Sequence, residues 1–200
     1  MSTHMPAVLD RFVPDPDAGG RHEITICAPA DFVLDIARSF DIQSIRMVRA
    51  LFWLRAKMLG AQLPVVMPRI GLVAQMLGLG WVCLAEDPGH FFVAGAACQP
   101  WQANVVFSAI SPEQFATYAG PNQVKIAWTL EAEDLGPALT RFATETRVVA
   151  TDLQARTKFR RYWRKFGIGI VMIRRLLLPV LRRQAERQWQ ANRSAGARGE

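Results

Sequence analysis

An α+β fold, with a curved antiparallel sheet gripping one long C-terminal helix, is expected of this 200-residue chain. Three patterns carry that expectation. The threonine-rich stretch 141–152 reads as a strand and runs directly into an oversized helix that is both apolar and basic. Segments 81–86 and 90–98 flank Asp87-Pro88-Gly89, a hairpin turn. Val124, Ile126, Trp128 and Leu130 alternate with Lys125, Thr129 and Glu131, which is the period of a half-buried strand. A sheet bent around a helix leaves a hollow, and a hollow of this kind takes apolar molecules.

In chain order, Pro6, Pro14, Pro16 and Gly19-Gly20 make residues 1–20 an irregular arm. The alternating stretch 21–27 is the first strand, and Asp31 is placed to cap a helix through about Phe40. Residues 42–60 form a second helix on Ile45, Val48, Phe52, Ala56 and Leu59, which Pro64 and Pro68 end; 70–79 form a third. Further strands are expected at 101–109, 123–132 and 139–151, with a capped turn or short helix at 111–115 and a turn at 133–137. In the last helix Ala155, Phe159, Tyr162, Phe166, Ile170, Ile173, Leu177, Leu181 and Ala185 recur at steps of three and four. Arg156, Arg160, Arg161, Arg164, Lys165, Arg175, Arg182 and Arg183 fall on the other side. The register survives Gly167 and Gly169, while Pro179 should bend the helix or begin a new segment. No charge lies between Phe166 and Ile173, so that middle needs a cover of protein, partner or lipid. A single domain over 21–190 with a flexible tail at 191–200 follows.

Half of the residues are hydrophobic, enough for a full core without disulfides or metals. Cys27, Cys83 and Cys98 are an odd number without metal-type spacing and read as reduced thiols, which with the absence of a leader pattern suggests a cytoplasmic protein. The uncharged stretch 88–112 holds Pro100, Gln99, Gln102 and Asn104 and is strand-like, so a membrane span is excluded there. The net charge of +7 is uneven. Residues 1–150 carry 11 basic and 14 acidic side chains; residues 151–200 carry 13 and 3. An anionic partner fits that asymmetry, and so does a solvated helix face.

The strand and turn Ile24-Thr25-Ile26-Cys27-Ala28-Pro29-Ala30-Asp31, the hairpin 84–95 running to Pro100-Trp101, the strand Thr144-Glu145-Thr146-Arg147-Val148, and the closing helix with Phe159, Arg160, Tyr162 and Trp163 occur in that order over 21–187. The combination resembles the START/Bet v 1-like (SRPBCC) superfamily, in particular its bacterial polyketide-cyclase-like and lipid-transport-like domains. The resemblance implies a helix-grip fold of about seven strands with a cavity between sheet and helix. It transfers no reaction, because the family has no universal catalytic residues. The helical stretch between the first strand and Trp81 is longer than the family's usual pocket lid.

No His-x-x-x-His, Cys-x-x-Cys or carboxylate cluster offers a metal site, and no nucleophile elbow or phosphate-cradling loop is present, so neither metal nor cofactor is expected. Among six tryptophans and eleven phenylalanines, Trp81, Phe92, Trp101, Trp128 and Phe142 are candidates for the cavity wall, with Tyr162. Each taken singly is more often ordinary core. Thr144 and Thr146 share the face of Phe142 and Val148 and put hydroxyls there, either as ligand anchors or as β-branched strand formers. His90 is the weak catalytic candidate, against the favoured reading of a surface histidine at a turn. Arg46, Arg49, Lys57, Arg160 and Arg164 are candidates for contact with an anionic membrane surface, against solvated arginines. Nucleic-acid binding through the basic closing helix, residues 156–183, is a second alternative that is disfavoured against lipid headgroups, and a homodimer burying 166–173 is left open. The leading reading is binding of a hydrophobic or amphipathic small molecule, lipid-like or polyketide-like; a cyclase, aromatase or dehydratase in the same cavity is the competing one.

Overall fold

The computed structural model describes residues 8–61 and 70–196. Pro64 and Pro68 lie outside the described residues, as do the first seven and last four residues. Among the described residues five strands form one antiparallel sheet: β1 (Ala18–Ile26), β2 (Val82–Asp87), β3 (Phe91–Cys98), β4 (Val124–Gly136) and β5 (Leu139–Ala150). Their order in space is β1-β5-β4-β3-β2. Consecutive strands from β2 to β5 are neighbours, whereas β1 pairs with β5, Ala18 opposite Val148 and Ile26 opposite Thr140.

Five strands replace the seven expected. Segment 101–109 is no strand and contributes one bridge, Ser108 to Ala97. Two features at its start act against strand pairing. Pro100 has no backbone donor, and the carbonyls of Pro100 and Gln102 are taken by the Arg55 guanidinium at 2.9 and 3.3 Å. The expected turn at 133–137 shrinks to Pro137-Ala138 because β4 runs on to Gly136. Part of the expected arm is packed: Leu9, Phe12 and Val13 join Val93, Ala97, Phe115 and Ala127 on the sheet's outer face.

α1 (Ala30–Ser39), α2 (Arg46–Leu59) and α3 (Leu72–Gly78) follow β1, and α4 (Pro112–Phe115) precedes β4. Asp31 does not cap α1; it lies in the first turn and accepts from Phe32 N at 2.7 Å, where its charge suits the helix N-terminus. α5 (Leu153–Gly196) is one helix of 44 residues, about 66 Å long at the standard rise. Asp152 Oδ1 accepts from Ala155 N at 2.6 Å and fixes its start. Pro179 neither ends the helix nor starts a new one, and its ring lies on the exposed side where a missing donor is least costly. The helix runs to Gly196, through most of the expected tail.

α5 and α1 lie on the inner face of the sheet. The first turns of α5 bury Ala155, Phe159 and Tyr162 with Cys98, Val124, Val148 and Ala150. Its later turns bury Leu178, Leu181 and Ala185 with α1, Phe92, Leu130 and Phe142. Between these two packed ends only Gly167 is fully buried, while Ile168 is 74% exposed.

Candidate functional site

Strand register sets what faces the middle of α5. Gly20 pairs with Thr146, Thr146 with Trp128, Trp128 with Ala94, and Ala94 with Cys83, so one row crosses all five strands. Apart from Trp128 its side chains are small. Alternation puts Ile24, His22 and Gly20 on the inner side of β1, whose odd-numbered residues 19–25 are exposed. The inner face is fully buried at one end through Phe92, Leu130 and Phe142, and at the other through Cys98, Val124 and Val148. Between them Ile126, Trp128, Thr146, His22, Cys83 and Phe107 are only half-buried. Phe166, Ile170 and Ile173 on α5 are half-buried too. The middle of α5 is less tightly covered than its ends: Phe166 and Ile170 lie half-buried against the cluster that holds Ile126 and Phe107, and Arg174 reaches β1, which leaves a partly open cleft along this row.

The cleft's polar groups are few. Trp128 Nε1 donates to Thr144 Oγ1 at 2.9 Å, and that hydroxyl donates to Thr129 O at 2.7 Å, so both are satisfied within the sheet. Arg174 occupies the buried side of α5, four residues after Ile170 and four before Leu178. Its Nη1 donates to Gly20 O at 3.0 Å. Burial pulls its pKa down, opposed by the charge of Glu145. His22 Nδ1 is buried and has no hydrogen-bond partner among the described residues. Burial, then the charges of Arg174 and Arg175, lower its pKa below the usual 6.5.

The structure separates the residues that the sequence grouped. Trp128, Thr144 and Thr146 share the cleft. Phe92 and Phe142 are solid wall at its α1 end, each 1% exposed. Trp81 packs on Phe107 with centroids 5.5 Å apart. Trp101 and Tyr162 belong to the opposite end, where Trp101 joins from a loop and the Tyr162 hydroxyl accepts from Arg55 Nε at 3.2 Å. His90 stands on the exposed β2–β3 turn, 3.2 Å from Asp87, and does not face the cleft. Arg46, Arg49 and Lys57 line α2, which meets α5 near Tyr162 and Gly169. Arg160 and Arg164 are each two residues from Tyr162, about 200° around the helix, and line a shallow groove of about 470 Å³ with Trp163. The five basic candidates therefore do not form one surface.

His22 and Arg174 were missed from the sequence, although a signal for each was present. His22 alternates in phase with Ile24 and Ile26, and Arg174 is in helical phase with Ile170, Leu178 and Leu181. Arg174 was assigned to neither side of the helix.

No protein-family model and no curated protein matches the sequence. Among solved structures the chain is similar to a Deinococcus radiodurans protein at 14% identity, covering 76% of this chain and 99% of that one with a TM-score of 0.31. It is also similar to the Zhui aromatase/cyclase of Streptomyces sp. R1128 at 12% identity, covering 86% and 94% with a TM-score of 0.28. Scores of that size carry no argument about function. The fold rests on the molecule's own geometry: an antiparallel sheet with the closing helix laid across its inner face is a helix-grip architecture, the type expected from the SRPBCC resemblance.

Proposed function

We propose that the protein binds a hydrophobic or amphipathic small molecule, lipid-like or polyketide-like, in the cleft between the middle of α5 and the inner face of the sheet. One observation carries the reading: on the central inner row Gly20, Thr146, Trp128 and Cys83 are half-buried, with Ala94 sealed, while both ends of the same face are buried. Half-buried Ile126, Trp128 and Phe107, with half-buried Ile170 and Ile173 on α5, give the apolar walls and few polar anchors that such sites use. Native mass spectrometry of the purified protein, with extraction of bound material, tests it. A co-purifying apolar molecule that Gly20→Leu displaces supports the reading; a protein that carries nothing and takes up no alkyl ligand from solution refutes it.

Docking on an anionic membrane is a second reading, supported by α2. That helix exposes Met47, Phe52, Trp53, Leu54 and Met58, and Lys57 Nζ lies 5.0 Å from the Trp53 ring centroid. Apolar side chains beside Arg46, Arg49 and Lys57 suit an interfacial helix. No helix among the described residues is long and apolar enough to cross a membrane. Co-sedimentation with anionic vesicles that Trp53→Glu abolishes supports docking; equal recovery with neutral vesicles removes the electrostatic part.

A further inference from the structure

Arg174 stands where packing alone would place a leucine. Ile170, Leu178 and Leu181 lie four before, four after and seven after it, on the side of α5 that meets the sheet. A guanidinium has five donors in a planar fork, and the bond recorded for this one runs to a carbonyl, Gly20 O at 3.0 Å. The nearest carboxylate influence is Glu145, which is itself paired with Arg21 at 3.5 Å and Arg147 at 2.7 Å. Beside Arg174, the His22 ring reaches back over Gly20, with Cε1 3.6 Å from where a Cβ on Gly20 would sit. Among the described residues, Gly20 and its two chain neighbours aside, no other heavy atom comes within 4 Å of that point. His22 also holds a buried ring nitrogen without a partner among the described residues.

A simple clasp between α5 and β1 would explain the Arg174 bond to Gly20 O. It leaves the remaining donors of Arg174, the unpartnered Nδ1 of His22 and the open space over Gly20 unexplained. Buried polar groups are normally matched, and an oxyanion over Gly20 matches this set: the guanidinium binds it in charge-assisted fashion and the imidazole Nδ1–H adds a second donor. The absent side chain of Gly20 supplies the room.

Resting on the cleft reading above, we infer that the ligand is an anionic amphiphile whose carboxylate or phosphate head seats over Gly20 between Arg174 and His22, with its apolar part along Trp128 and Thr146. Calorimetric titration of the full chain with dodecanoate, dodecyl phosphate, dodecanol and inorganic phosphate tests this. One of the two anionic amphiphiles should bind at least about tenfold more tightly than dodecanol, and its identity tells carboxylate from phosphate. Arg174→Gln should erase that preference, leaving dodecanol binding intact, and Arg183→Gln on the exposed side should leave it unchanged. Inorganic phosphate should bind far more weakly than dodecyl phosphate. On the wild-type protein, the preferred amphiphile should shift the His22 ring resonances and dodecanol should not, a readout that does not depend on how well the variants fold. Equal affinity for anions and alcohol overturns the inference and leaves the cleft reading standing. So does a preference that survives Arg174→Gln, or inorganic phosphate binding as tightly as dodecyl phosphate. Binding of none of the amphiphiles overturns both.

Discussion

Replacing Gly20 by alanine is expected to raise stability, and replacing its neighbour Gly19 to lower it. A Cβ on Gly19 would lie 2.3 Å from the backbone oxygen of Thr146 and 3.2 Å from Arg147 Cα. Backbone cannot swing aside as a flexible side chain does, so β1 must shift against β5; overpacking of this kind costs about 1–3 kcal/mol. A Cβ on Gly20 meets only the His22 ring, at an ordinary contact of 3.6 Å. There the gain of alanine over glycine in the unfolded chain, about 0.4–1 kcal/mol, should dominate. For a chain of this size 1 kcal/mol moves Tm by roughly 2–4 °C. Gly20→Ala should therefore rise by about 1–4 °C and Gly19→Ala fall by about 2–12 °C. Urea unfolding at unchanged m checks that the native state is the same. Should Gly20→Ala lose as much as Gly19→Ala, the inner face over β1 is filled and no cleft exists there.

Thr144→Val removes the acceptor of Trp128 Nε1 and the donor to Thr129 O; a loss of about 1–3 kcal/mol is expected, largely restored by Thr144→Ser, and is read from the urea midpoint. Cys98 is buried, which pushes its thiol up to about 12, whereas Cys27 is exposed; a thiol reagent at mildly alkaline pH should label Cys27 in the folded protein and Cys98 only on unfolding. The pKa of His22 is lowered by burial and by Arg174 and Arg175, so the unfolded chain takes up its proton first as pH falls. Stability should then drop as pH falls through about 6.5 toward the folded value. His22→Gln should flatten that part of the profile from about pH 7.5 to 5.5, measured by urea unfolding.

Much of the architecture was legible where one local rule dominated. Asp87-Pro88-Gly89 between apolar runs gave the β2–β3 hairpin, and Val124, Ile126, Trp128 and Leu130 gave β4. The unbroken three-and-four spacing from Ala155 to Ala185 gave α5 through both glycines, but Pro179, expected to bend the helix or begin a new segment, does not end it. Failures came where distant groups decided. Nothing within 101–109 announces that Arg55 will take the carbonyls of Pro100 and Gln102. The candidate wall residues carry no mark of whether a helix will touch them, so Phe92 and Phe142 could not be told from half-open Trp128. His22 and Arg174 required knowing which side of each element faces the other.

Strand order has a consequence for synthesis and folding. The hairpins β2 to β5 assemble from neighbouring segments, but β1 has one partner in the sheet, β5, and Ile26 must wait for Thr140. At ribosomal speeds the gap lasts roughly 6–23 s, during which β1 trails from the ribosome without its mate. Pairing of such high contact order is slow, which makes the nascent amino-terminal third the natural client of a chaperone and joining of the two ends the natural rate-limiting step.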